Sequence, residues 1–145
     1  RRPPAPTHKP KSKPVQYTFS QTFLLSDSSL SNCLVIYIDR NIHEKFHTKE
    51  NEWVGYIIEI ENIRYYVAGD TDVTPENKQV KCDVAFIPVG GTYTMNYMEA
   101  ADLINNMKPK VVIPTHYGEI VGSIEDGIKF KELITDKIDC ILLIK

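Results

Sequence analysis

From residue 83 onward, three short apolar runs alternate with two segments of helical period, and this alternation restricts the chain to an α/β architecture. Residues 83–89 (D-V-A-F-I-P-V) read as a strand covered on both faces, broken by Gly90-Gly91. Asn96 with Glu99 forms a capping box, and Ala100, Leu103, Ile104 and Met107 then fall on one helical face. Lys108-Pro109 ends that helix, and residues 111–113 form the next buried strand. Ser123 with Asp126 opens a second helix, with Phe130, Leu133 and Ile134 as its apolar face. Residues 138–144 read as the closing strand. A hairpin precedes this unit: residues 55–61, a Glu61-Asn62 turn, and residues 63–67. Further back, residues 33–38 (C-L-V-I-Y-I) read as a buried strand and residues 15–25 as a loosely alternating one. Residues 26–32 are a loop by composition, and residues 39–52 are polar and irregular.

The charge is unevenly spread. Residues 1–14 hold five basic side chains, five prolines and no acid, leaving 12 basic and 19 acidic groups for the rest. A basic, Pro-rich stretch cannot bury enough apolar surface to offset its ordering, so residues 1–16 are expected to be a disordered arm. Residues 17–145 form the single expected domain. Its acidic balance argues against nucleic acid as a partner. No run is long enough to span a membrane. Cys33, Cys82 and Cys140 are odd in number and lack C-x-x-C spacing, which fits buried free thiols and a cytoplasmic location. A secreted product trimmed of its signal is the other reading.

Chemistry concentrates at two strand endings. Residues 64–72 (R-Y-Y-V-A-G-D-T-D) carry Asp70 just past strand formers and two small residues. Residues 111–118 (V-V-I-P-T-H-Y-G) carry His116 in the same position. Taken singly, Asp70 reads as a turn aspartate, Asp72 as a second turn carboxylate, and His116 as a structural histidine. His8 and His43 read as solvated. Together, a carboxylate and an imidazole on rigid strand tips supply what a Zn²⁺-type site needs. The sequence contains no phosphate-binding G-x-x-x-x-G-K-[ST] loop, no G-x-S-x-G elbow and no H-E-x-x-H.

Read in order, G-Y-I-I-E-I, R-Y-Y-V-A-G-D-T-D, V-A-F-I-P-V-G-G-T-Y-T-M and K-P-K-V-V-I-P-T-H-Y-G resemble the metallo-β-lactamase-fold hydrolases. The branch they resemble is that of metal-dependent hydrolases similar to ascorbate-6-phosphate lactonase. The resemblance covers about residues 45–135. It implies an α/β fold corresponding to the C-terminal half of an αββα sandwich, here a β-hairpin followed by β-α-β-α-β. It further implies that Asp70 bridges two metal ions, His116 binds the second and His47 the first, with His43 four residues from His47 as the competing candidate. Thr92, after the Gly90-Gly91 turn, is expected to line the cleft. The implied ion is Zn²⁺, with Mn²⁺ the alternative, and the implied substrate is a small ester, lactone or phosphate-bearing molecule attacked by metal-activated water.

The family's first motif, H-x-H-x-D-H, does not occur in these 145 residues. Three ligand groups are too few for two ions. The chain read alone is therefore expected to be a poor or metal-free catalyst. A truncated piece, the product of an altered reading frame, and a subunit that self-associates or whose partner supplies the missing half all fit. So does a non-catalytic module that keeps the fold and binds a partner.

Overall fold

A computed structural model describes residues 54–144 together with Thr18, Phe19, Val35, Ile36, Ile38 and Asp39. His8, Cys33, His43, His47 and the arm expected over residues 1–16 lie outside the described residues. In order, the elements are β1 (Thr18–Phe19), β2 (Val35–Ile36), β3 (Ile38–Asp39), β4 (Val54–Ile60), β5 (Ile63–Val67), β6 (Val84–Pro88), α1 (Tyr97–Met107), β7 (Val111–Thr115), α2 (Ile124–Leu133) and β8 (Asp139–Cys140). Among the described residues, β1 and β2 pair with each other, and β3 to β8 form one sheet in sequence order.

The hairpin β4–β5 is antiparallel, with Ile60 opposite Ile63. Its two-residue turn places Glu61 and Asn62 at φ +51° and +63°, the left-handed pair that matches strand twist. From β5 on, every pairing is parallel, through β6 and β7 to β8. The helices α1 and α2 supply the β6–β7 and β7–β8 crossovers, and the longer β5–β6 connection carries a single 3-10 turn at Asn77–Gln79. The α1 capping box forms: the Asn96 side chain accepts from the Met98 and Glu99 N–H groups, and Glu99 accepts from the Asn96 N–H. At α2 the Asp126 carboxylate accepts from the Ser123 N–H and hydroxyl.

The core lies between one sheet face and the helices. Tyr66, Ala85, Ile87 and Val112 from the strands meet Ala100, Leu103, Ile104, Met107 and Phe130 from the helices, all buried. Two expectations need correction here. Residues 83–89 are not covered equally on both faces: Ala85 and Ile87 are fully buried, whereas Val84 and Phe86 on the opposite face are half-buried. Leu133 is exposed rather than part of the α2 apolar face. The buried line of α2 runs Gly127, Phe130, Ile134, and at 3.6 residues per turn Leu133 sits roughly a quarter turn away from it.

The closing strand is also shorter than residues 138–144. Asp139 and Ile141 donate to Lys110 and Val112 on β7. The next ladder bond would need an N–H at position 114, where Pro114 has none, so β8 stops at Cys140. Pro88 does the same between β5 and β6. Ala68 donates to Phe86, and the following bond would need the N–H that Pro88 lacks. Two prolines thus end the β5–β6 and β7–β8 ladders, while β6 and β7 stay paired through Pro88 and Thr115.

The opposite end of the sheet is tied by Asp83. Its carboxylate accepts from the Arg64 N–H at 2.9 Å and from Lys110 Nζ at 2.9 Å, linking the starts of β5, β6 and β7. The Arg64 backbone bond, and then the Lys110 bond, hold the Asp83 carboxyl below its usual value of 3.8. A depressed carboxylate binds fewer protons folded than unfolded. Its stabilisation is therefore complete above the usual carboxylate range and is lost as pH falls through the lowered value. Asp83→Asn should destabilise the chain at neutral pH and flatten the acid limb of its stability profile. Urea midpoints followed from neutral pH to about pH 3 check this, and an unchanged acid limb would contradict it.

Candidate metal centre

Asp70 and His116 come together at the carboxyl ends of β5 and β7. These strands are not immediate neighbours, because β6 runs between them. The His116 Nε2 lies 2.8 Å from Asp70 Oδ1. Side-chain exposures of 37% for His116 and 45% for Asp70 leave both groups accessible to an incoming ion. Each is delivered by an unusual backbone. Gly69, at φ +63°, turns the chain just past β5, a conformation costing a residue with a Cβ about 1–2 kcal/mol. His116 itself stands at φ +53°, in the left-handed region that histidine tolerates better than most side chains.

The loop after Asp70 is fixed by Asn77, which is fully buried. The Asn77 side-chain amide donates to the Asp72 carbonyl at 2.7 Å and accepts from the Thr74 N–H at 2.9 Å. The Thr74 hydroxyl accepts in return from the Asn77 N–H at 3.1 Å. Further on, the Met95 N–H donates to the Thr71 carbonyl, tying the loop after Asp70 to the loop after β6. Asn77→Ala would leave the buried Thr74 N–H unpaired, at about 1–3 kcal/mol, and would take from the Asp72 carbonyl one of its donors, the Thr71 hydroxyl remaining. A clear fall in thermal midpoint is expected, and one within a degree of the parent would contradict this account.

On the other side, Tyr117 is buried next to His116, and its hydroxyl donates to the Ile144 carbonyl at 3.3 Å. Its ring lies against Gly127 of α2, where no side chain intervenes. Thr92 is exposed on the loop after Gly90-Gly91. The Asp72 backbone carbonyl accepts from the Asn77 amide and from the Thr71 hydroxyl.

The donor pair fits an ion of the zinc class. Two ligand atoms on one tetrahedral ion with bonds of about 2.0–2.1 Å stand about 3.3 Å apart, so this pair needs to open by only about half an ångström. An imidazole nitrogen and a carboxylate oxygen are the borderline and hard donors such ions take. The described residues contain no group of three such donors. Sequence reading found both donors but missed Gly90, Gly122, Asn77 and the Tyr117–Gly127 contact. Only the Gly90-Gly91 doublet carried a visible signal, and it read as a strand breaker.

A mixed sheet whose parallel strands bring a carboxylate and an imidazole to one end defines an α/β protein with a candidate ligand pair at the carboxyl end of its sheet. The chain belongs to the beta-lactamase superfamily domain family, whose model matches residues 15–116. It is 36% identical over 94 residues to a UPF0173 metal-dependent hydrolase of Thermococcus onnurineus, covering 61% of this chain and 42% of that protein. A UPF0173 metal-dependent hydrolase of Caldivirga maquilingensis is 31% identical over 108 residues, covering 72% of this chain and 46% of that protein. The chain thus spans less than half the length of these curated relatives. Among solved structures, a candidate metal-dependent hydrolase of Parabacteroides distasonis superposes with a TM-score of 0.68 at 29% identity, covering 91% of this chain and 57% of that one. A candidate zinc-dependent hydrolase of the metallo-β-lactamase superfamily from Thermotoga maritima gives 0.60 at 19% identity, covering 90% and 69%. The mixed sheet with its helices is therefore of the metallo-β-lactamase type, as the sequence motifs imply.

Proposed function

We propose that this chain carries part of the active site of a metal-dependent hydrolase that cleaves a small ester, lactone or phosphate-bearing substrate. The observation that supports this reading is the Asp70–His116 pair, converging at 2.8 Å on the open end of the sheet. The relatives' description as metal-dependent hydrolases agrees with it. Asp70, His116 and His47 are the proposed ligands, and Zn²⁺ is the proposed ion, with Mn²⁺ second. A bound ion of this class lowers the pKa of coordinated water towards about 7 and polarises the scissile carbonyl or phosphoryl oxygen. Asp70 contributes fixed negative charge at the β5 tip, and His116 a nitrogen donor at the β7 tip. The lactonase-like branch is the proposed subfamily. The remaining ligands are proposed to come from outside the three named here, in a longer chain or a partner.

The cytoplasm is the proposed location, supported by the free thiols of Cys82 and Cys140. Burial pushes the Cys82 thiol up to about 11, so it is a poor nucleophile and fits a packing role. No helix among the described residues is long and apolar enough to cross a membrane. The acidic body supports a small-molecule substrate over nucleic acid.

The test is metal content after equilibration with Zn²⁺ or Mn²⁺ and gel filtration, followed by assay against esters, lactones and phosphodiesters. Retained metal, with slow hydrolysis that a chelator removes, is the expected result. A chain that retains no metal under any condition would remove the basis of the proposal.

A further inference from the structure

We propose that Gly90 is a positioning residue for the His116 imidazole, a reading that rests on the ligand role proposed above for His116. Register brings the two residues side by side. The Val89 N–H donates to the Thr115 carbonyl at 3.0 Å, so β6 and β7 stay paired up to the residues just before Gly90 and His116. A Cβ added at Gly90 would overlap the His116 carbonyl oxygen outright and stand 3.2 Å from the carbonyl carbon. The obstacle is backbone, so no change of rotamer relieves it.

Gly90 cannot easily recede. A Cβ at Gly122, which itself stands at φ +68°, would lie 2.7 Å from the Gly90 Cα, so that backbone closes in from another side. An isolated bridge pairs Gly90 with Asn96, the residue that caps α1. Gly90 is not among the residues of positive φ, so glycine is required there by its neighbours and not by its own dihedral angle. The peptide that must yield to a side chain at position 90 is that of His116. Its imidazole then leaves the 2.8 Å contact with Asp70, because a shift on the order of 1 Å is enough to break such a contact. The seat of one backbone on another, between the loop after β6 and the loop before α2, sets where the ligand nitrogen points.

The experiment is a double-mutant cycle read as Zn²⁺ affinity, using competition with a chromophoric chelator well below each variant's melting temperature. The single variants are Gly90→Ala and His116→Ala, and the cycle closes with the double variant. Gly90→Ala is expected to weaken Zn²⁺ binding by about 10–100-fold, the range seen when the surroundings of a ligand are disturbed. In the His116→Ala background it should cause no further loss, because the residue it positions is gone. Independent, multiplicative losses would overturn the proposal, as would an unchanged affinity for Gly90→Ala. If Gly90→Ala does not fold, Gly122→Ala enters the same cycle, with a smaller loss expected and the same non-additivity required. Equal affinity for the parent chain and His116→Ala would instead remove the ligand role itself, which separates the two failures.

Discussion

Asp70→Asn is expected to leave the fold intact and to remove metal retention together with any metal-dependent hydrolysis. The two carboxylate oxygens become one oxygen and one amide, so the shape is kept and the His116 Nε2–H can still find an acceptor. What disappears is the negative charge. Asp70 and His116 are both more than a third exposed, and pairs of that kind contribute only about 0–1 kcal/mol to stability. The melting temperature of the metal-free protein should therefore barely move. Binding of a divalent ion depends far more on charge, since an amide is a weak ligand for zinc-class ions. The slow metal-dependent turnover should fall to the metal-free background, because each lost ~1.4 kcal/mol of transition-state stabilisation is a factor of ten. His116→Ala should give the same separation of stability from function. Metal content, melting temperature and rate, measured on the same preparations, check the prediction. A variant at Asp70 that keeps its metal and its rate would show that the carboxylate is the turn residue it resembles when read alone.

The parts of this fold legible in sequence are those in which local chemistry decides the structure. Asn96 with Glu99 and Ser123 with Asp126 cap their helices as the three-residue spacing requires. Glu61-Asn62 forms the two-residue turn between β4 and β5. Asp70 and His116 are visible because strand formers lead into each of them. The rest depends on pairs far apart in the chain. Position 133 reads as apolar face until Gly127 and Phe130 define which side of α2 is buried. The early stop of β8 is decided by Pro114, about 25 residues upstream on the partner strand. Nothing in the sequence marks Asn77, and only its burial and hydrogen bonds show that it carries the loop behind Asp70. Gly90 reads as a breaker because its reason is the His116 carbonyl, which is local in space and remote in sequence.

Gly127→Ala reverses the sign that sequence rules assign to it. Gly127 lies inside α2, where alanine is worth about 1 kcal/mol over glycine by helix propensity. It is also a helix position whose added methyl is not directed to solvent. A Cβ there would stand 2.7 Å from Cζ and 2.8 Å from Cδ2 of the Tyr117 ring, with Cε2 nearer still. The ring cannot simply swing away, because Tyr117 is buried and its hydroxyl is held by the Ile144 carbonyl. Either α2 moves off the sheet or Tyr117 is expelled, and both expose Phe130 and its neighbours. Overpacking of this kind typically costs 1–3 kcal/mol, roughly, which outweighs the propensity gain. The expected result is a melting temperature lowered by several degrees, with reduced metal retention as well, since Tyr117 follows His116 directly. Restoring space should rescue it: Tyr117→Leu combined with Gly127→Ala is expected to be more stable than Gly127→Ala alone. A stabilised single variant would mean that the contact between α2 and the residue after His116 is looser than the structure has it, and that helix propensity governs this position.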